Sequence, residues 1–213
     1  MCNVAFTYFF RDMKTLELIN EKVLPTMRGH RYIHIWDAGC AHGPEAYSIA
    51  IMLRENMTHF LFRNVRIHAT DIDTCDQFGP IIARGIYPEG EVRRIPPAIK
   101  QKYFAEADEP GYYKIDDEIR SSVEFTRHDL LSMKPIRDGI NLIVCKNVLL
   151  HLTPAQRVEV MKMFNESLRE GGFLVTEQTQ ELPRRAGHLF EPVTCNGQVF
   201  RKTTDHANHR LAA

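Results

Sequence analysis

The sequence predicts an α/β fold, a mostly parallel sheet covered by helices on both faces, with an antiparallel hairpin near the C-terminus. Three observations carry that prediction. Short apolar runs alternate with amphipathic helical stretches, the pattern of parallel strands joined by crossover helices. The first run, Tyr32–Trp36, passes straight into a glycine-bearing turn, Asp37 to Gly43, and then into a helix. Asn196-Gly197 stands between Phe190–Thr194 and Gln198–Arg201, the signal of a two-residue hairpin.

The elements follow in order. The aromatic segment Phe6–Arg11 leads into a helical pattern with Leu16, Ile19 and Val23 on one face, which Pro25 should stop. After the glycine turn, Ala46, Ile49, Ala50 and Leu53 fall at i, i+3, i+4 and i+7, an amphipathic helix over Glu45–Arg54. Val65–Thr70 is a second strand, ending in Asp71-Ile-Asp73 and a helical stretch towards Ile86. Gly90–Asp117 is irregular and holds Pro96, Pro97 and Pro110; within it a short helix is expected at Pro97–Tyr103 and a small antiparallel excursion around Tyr112–Ile115. Val123–Thr126 and Asn141–Cys145 are further strands. Thr153-Pro-Ala-Gln156 starts a helix: Thr153 caps, Pro154 takes the first helical position and Gln156 completes a capping box. Its apolar face (Val158, Met161, Leu168) should end at Gly171-Gly172, a C-cap signal, before a strand at Phe173–Glu177.

The 213 residues suit one domain over residues 1–203, with a small subdomain near 90–120 and a flexible tail at 204–213. Lys plus Arg is 27 and Asp plus Glu is 27, which argues against a nucleic-acid or anionic-membrane partner held by bulk charge. The five cysteines (Cys2, Cys40, Cys75, Cys145, Cys195) are scattered without a C-x-x-C pair, so they read as reduced thiols of a cytoplasmic protein. No apolar run approaches the ~20 residues of a membrane-spanning helix. The histidines are too dispersed for a readable ligand set, and no metal is expected.

In parallel sheets ligands bind beyond the carboxyl ends of the strands. The first strand ends in Asp37-x-Gly39-x-x-x-Gly43, where Gly39 and Gly43 let backbone approach a ligand or simply make a tight turn. A dinucleotide site would want G-x-G-x-x-G, and no glycine stands at the middle position. The second strand ends in Asp71, an acceptor for both hydroxyls of a ribose or else a helix cap, as Asp73 could equally be. Asp129, after a later strand, is a partner for an adenine amino group or a cap.

Thr7-Tyr-Phe-Phe-Arg11, Ala38-Gly-Cys-Ala-His-Gly-Pro-Glu-Ala-Tyr-Ser48, Ala69-Thr-Asp-Ile-Asp73, Gly85-Ile-Tyr87 and Cys145-Lys-Asn-Val-Leu-Leu150 fall in one order. Together they resemble the chemotaxis receptor methyltransferase (CheR-type) family over about residues 5–202. The resemblance implies a class I S-adenosylmethionine-dependent methyltransferase (Rossmann-like) fold and esterification of protein glutamates. The acceptor would be a glutamate of a chemoreceptor or related signalling protein, and S-adenosylhomocysteine the product. It places Thr7, Arg11, Gly39, Gly43, Glu45, Asp71, Asp129, Leu130, Lys146 and Asn147 at the cofactor, and Arg11, Lys146 and His151 at the reaction. Glu45 can pair with the cofactor's ammonium; Arg11 suits its carboxylate or the departing methyl. Structural alternatives are a first-turn acid for Glu45 and a surface ion pair for Arg11.

The chain departs from the family at four places: Lys146 for Arg, His151 for Tyr, Pro44 before Glu45 for Glu, and Ala5 for Asn. The family's preceding helical domain is also expected to be missing, with any receptor-binding role it has. Two further readings therefore stand beside esterification. One is a non-catalytic cofactor-binding regulator or scaffold. The other is a methyltransferase for a hydroxyl or amine acceptor, with His151 as its base.

Overall fold

In the computed structural model, residues 7–177, 182–195 and 197–203 are described. The chain starts with helix α1 (Met13–Leu18), which runs through a π segment (Ile19–Val23) into α2 (Leu24–Met27). Pro25 therefore does not stop the helix as expected. The wider π turn comes just before it, so its ring sits at the start of α2, where no N–H is required. Strand β1 (Ile33–Ala38), helix α3 (Pro44–Asn56), α4 (His59–Phe62), β2 (Val65–Asp71) and α5 (Phe78–Arg84) follow. An insertion then holds β3 (Ile86–Pro88), α6 (Glu89–Val92), α7 (Pro97–Tyr103), β4 (Phe104–Glu106), β5 (Tyr112–Ile115) and α8 (Asp117–Ser121). The chain ends through β6 (Val123–Arg127), β7 (Ile140–Cys145), α9 (Pro154–Ser167), β8 (Leu168–Thr176), β9 (Phe190–Pro192) and β10 (Val199–Lys202).

Seven strands form the main sheet in the order β6-β2-β1-β7-β8-β10-β9, parallel from β6 to β8 and antiparallel at β10 and β9. This is the predicted α/β architecture with its terminal hairpin. The turn residue Asn196 lies outside the described residues. The insertion forms a second sheet, β3-β5-β4, all antiparallel. It is larger than the expected excursion because Ile86–Pro88, too short to read as a strand, supplies an edge.

Alternation along the strands decides what each face buries. Ile33 and Ile35 of β1, Ile67 of β2 and Leu142 and Val144 of β7 face α3 and the N-terminal helix. Trp36, Ile143, Cys145 and Leu174 face α9 through Val160, Met161, Met163 and Phe164. The anticipated amphipathic helix is buried almost all round, Ile51 and Met52 included, because the N-terminal helix covers its outer side.

The capping box of α9 forms as predicted, with Thr153 and Gln156 bonded reciprocally. Its C-terminus differs: the helix stops at Ser167, and Leu168 already begins β8. Gly171-Gly172 is no cap but a bulge, since β7 pairs with β8 at Ile140–Leu168 and next at Leu142–Phe173. A Cβ on Gly172 would lie 2.9 Å from the Arg169 carbonyl oxygen, and Gly171 has φ +71°. Cys40 and Cys145 are buried free thiols, whereas Cys75 is disulfide-bonded, which corrects the reduced-thiol reading at that position. Among the described residues no helix is long and apolar enough to cross a membrane.

Candidate functional site

The parallel strands end together. Asp37 of β1 pairs in register with Ala69 of β2 and Val144 of β7, so the turns after all three open on one edge. After β1 the chain builds outward through β2 to β6, then crosses back to β7 on the other side of β1. A cleft of about 850 Å³ opens at that reversal. Its walls include Thr7, Arg11, Gly39, Glu45 and Asp71 from the first half of the chain. Asp129, Leu130, Lys146, Asn147 and His151 line it from the second half.

Gly43 is the expected site residue that does not line the cleft. It begins α3 at φ +104°, and a Cβ there would lie 2.7 Å from Ile82 Cγ1 and 2.9 Å from the Tyr87 hydroxyl. Its smallness serves packing against α5 and β3. Gly39 does face the site: at φ +99° its added Cβ would lie 2.1 Å from Val148 Cγ2, so only glycine lets the turns after β1 and β7 touch.

The turn after β1 is held from β2. The Gly39 and Cys40 amides donate to the Thr70 carbonyl at 2.7 and 3.0 Å, and the Ala41 amide donates to Asp71 Oδ2 at 2.9 Å. The cap role falls to Asp73, whose two oxygens accept the Gln77 and Phe78 amides at 2.9 Å each. Asp71 Oδ1 takes only a long 3.4 Å contact from the Asp73 amide and remains an acceptor at the cleft wall. Asp129 does cap: its Oδ1 accepts the Leu131 amide at 2.8 Å ahead of a 3-10 turn.

Thr7 and Arg11 reach the cleft because the aromatic residues between them are anchored. Phe9 is buried, edge-on to Tyr87 at 5.0 Å and to Phe104 at 5.3 Å. The Phe10 amide donates to Ser48 Oγ at 2.8 Å, and Phe10 and Asp12 both take positive φ. Tyr8 lies against the Arg11 guanidinium at 5.9 Å.

At the cleft floor Lys146 Nζ meets Glu45 Oε2 at 2.7 Å, with side chains only 4% and 12% exposed. Lys146, which the family resemblance places at both the cofactor and the reaction, thus holds its ammonium on Glu45. Beside them lies Asp37, 0% exposed, with no hydrogen-bond donor facing either carboxyl oxygen. Burial, and next the Glu45 charge, push its carboxyl well above the usual carboxylate range, against the pull of Lys146. Fully buried and without a donor, this carboxyl favours its neutral form, whose hydroxyl can donate to Glu45.

Asn147 sits at φ +58°, a conformation Asn tolerates, and donates its amide to Glu177 Oε2 at 3.0 Å. Glu177 is itself buried, with Oε1 unpartnered. Neither acid lines the cleft; Asp37 backs the Glu45–Lys146 pair and Glu177 accepts the Asn147 backbone amide, and sequence reasoning missed both as supports of the site. Asp37 had been read only as the start of the turn, and Glu177 only as the end of a strand. The rule that singled out Asp71, an acid at a parallel strand's carboxyl end, would have found both. His151 is exposed on a 3-10 turn (Leu149–His151) at the cleft wall, next to Leu150, 47% exposed.

The model of the CheR methyltransferase, SAM binding domain, matches residues 5–199. A probable chemotaxis protein methyltransferase of Rhizobium etli is 27% identical over 205 residues, covering 93% of this chain and 75% of that protein. Chemotaxis protein methyltransferase 2 of Vibrio cholerae is 33% identical over 186 residues, covering 84% and 62%. The chemotaxis protein methyltransferase of Listeria monocytogenes is 31% identical over 208 residues, covering 95% and 74%. Among solved structures, a TehB-like SAM-dependent methyltransferase of Corynebacterium glutamicum gives a TM-score of 0.45 at 17% identity, over 86% of this chain and 85% of that one.

Proposed function

The chain belongs to the CheR methyltransferase family, which makes it an S-adenosylmethionine-dependent methyltransferase, and we propose that it esterifies a glutamate carboxylate of a chemoreceptor or related signalling protein. The observation that carries this reading is one cleft that gathers Arg11, Glu45, Asp71 and Lys146 at the sheet's switch point. The residues fit the cofactor chemically. Asp71 Oδ1 suits the ribose hydroxyls, Leu130 and Asp129 the adenine, and Glu45 with unpartnered Asp37 behind it the ammonium. A volume of about 850 Å³ is ample for a ligand of this size.

When bound, the cofactor supplies an electrophilic methyl on a sulfonium. The chain's own part is to hold the acceptor in line with it. A glutamate, with reference pKa about 4.3, is already ionised near neutral pH, so no residue has to remove a proton. Proximity and orientation then supply most of the rate. Arg11 presents a planar fork for the acceptor carboxylate. Lys146 fixes Glu45, Gly39 lets the turns after β1 and β7 touch at Val148, and the Asn147 backbone amide ties the β7 turn to Glu177. Radiolabelled methyl transfer into cell extract tests this directly. The label should be released as methanol in base, as a methyl ester requires; base-stable label would exclude esterification.

Asp71→Ala should weaken S-adenosylhomocysteine binding by about 1.5–3 kcal/mol, through loss of a charge-assisted bond. Asp71→Asn should retain the turn, since an amide oxygen can still accept from Ala41, yet lose most of the affinity. Calorimetry decides; unchanged affinity in both variants would leave Asp71 a turn residue only.

His151 at the cleft wall motivates the second acceptor class. With a carboxylate acceptor, His151→Tyr should keep the rate and its pH profile. A hydroxyl or amine acceptor needs a base, and the same change should then cost roughly 10²–10⁴-fold. The expected outcome is retention, measured as initial methylation rate from pH 5.5 to 8.

A further inference from the structure

We propose that Asp37 is a positioning residue that gives up its proton when the cofactor's ammonium docks at Glu45, so that cofactor binding by this chain is proton-linked. The inference rests on the reading above and adds a residue to it. Its ground is charge balance in a closed place. Glu45 and Lys146 pair as opposite charges, and burial without a donor favours a neutral carboxyl at Asp37, so the buried trio is neutral. A neutral floor is a poor counter-charge for an incoming ammonium, because Glu45 already satisfies Lys146 at 2.7 Å. Adding a second cation without compensation would leave a net charge out of water, which is costly. Loss of the Asp37 proton restores neutrality: two carboxylates then face two ammonium groups.

The groups around Asp37 support that step. Among the described residues no donor faces its two oxygens, so ionisation gives up at most the hydroxyl's bond to Glu45. Glu45 on α3 and Asp71 on β2 both favour the protonated form, and Lys146 after β7 opposes it. The neighbouring thiols Cys40 and Cys145 are held protonated, chiefly by burial, and do not compete. The Glu177 charge also raises the Cys145 thiol. The O–H bond of Asp37 breaks, its electron pair stays on the carboxylate, and the proton leaves through Glu45, whose side chain is 12% exposed, to solvent.

The experiment is calorimetric titration of the whole chain with S-adenosylhomocysteine at pH 6.5, in buffers of different ionisation enthalpy. The ligand's α-amino group is predominantly protonated there, the reference value being about 7.7–8.0. The parent should release up to about one proton per ligand bound. Asp37→Asn, which keeps the shape and can still donate to Glu45, should release less, the difference approaching one proton. Parent affinity should rise with pH by up to about tenfold per unit across the Asp37 window, and the variant's should lose that rise. Binding without proton release by the parent overturns the proposal, whether or not the variant folds. So does equal release by parent and variant. Absence of any binding would instead overturn the methyltransferase reading, and this inference with it.

Discussion

Lys146→Met should cost about 3–5 kcal/mol of folding stability at pH 8, because it leaves a buried carboxylate without its counter-charge. Lys146 is 6% exposed and its ammonium is 2.7 Å from Glu45, so water cannot take over the role. Removing it also takes away the one charge that favours ionised Asp37. The loss should therefore depend on pH. A carboxyl held above its ordinary range binds more protons in the folded state than in the unfolded one. Its favourable contribution is present at low pH and disappears as pH rises through the folded value. Urea unfolding should accordingly show a larger deficit at pH 8 than at pH 5.5. The double variant Glu45→Gln/Lys146→Met should recover much of the loss, since both partners are then neutral. Parent-like stability of the single variant at both pH values would show that the pair is weakly buried in solution.

Arg11→Ala should lower kcat by roughly 10²–10³-fold, comparable to removing one preorganised donor from an active site. S-adenosylhomocysteine affinity should change by only a few-fold if Asp71, Asp129 and Glu45, which line the same cleft, take the rest of the ligand as proposed. Arg11→Lys should recover part of the rate, keeping charge but losing the planar fork. Single-turnover methylation set beside calorimetry separates the two assignments of Arg11. If affinity falls as far as the rate, Arg11 belongs to the cofactor's own carboxylate, not to the acceptor. The fold should survive, since Phe9 between Tyr87 and Phe104, and the Phe10 amide on Ser48, anchor the segment independently of the guanidinium.

Much of this was legible in the residues alone. Local chemistry determined the capping box at Thr153, whose partners stand three residues apart, and the short helix Pro97–Tyr103, where proline fixes the start. Short apolar runs marked the strands, and their alternation with helical stretches marked the parallel sheet. An acid and two glycines beyond strand ends located the cleft, because a parallel sheet points all its carboxyl ends to one edge.

Where a residue's fate depends on a distant neighbour, the sequence had no means to decide. Gly43 and Gly39 are alike in the sequence; Ile82 and Tyr87 make the first a packing glycine, and Val148 makes the second a site glycine. Gly171-Gly172 resembles a helix cap, but strand pairing with Ile140 and Leu142 makes it a bulge. Asp71 and Asp73 were interchangeable until the start of α5 took Asp73 and the turn at Ala41 took Asp71. The charge on Asp37 is the plainest case. Its type and position are written in the chain, but its proton is set by burial and by Glu45 and Lys146, residues that only the closed sheet brings beside it. Periodicity and caps act over a few residues and are read locally, whereas desolvation and electrostatics act through space and exist only once the chain has folded.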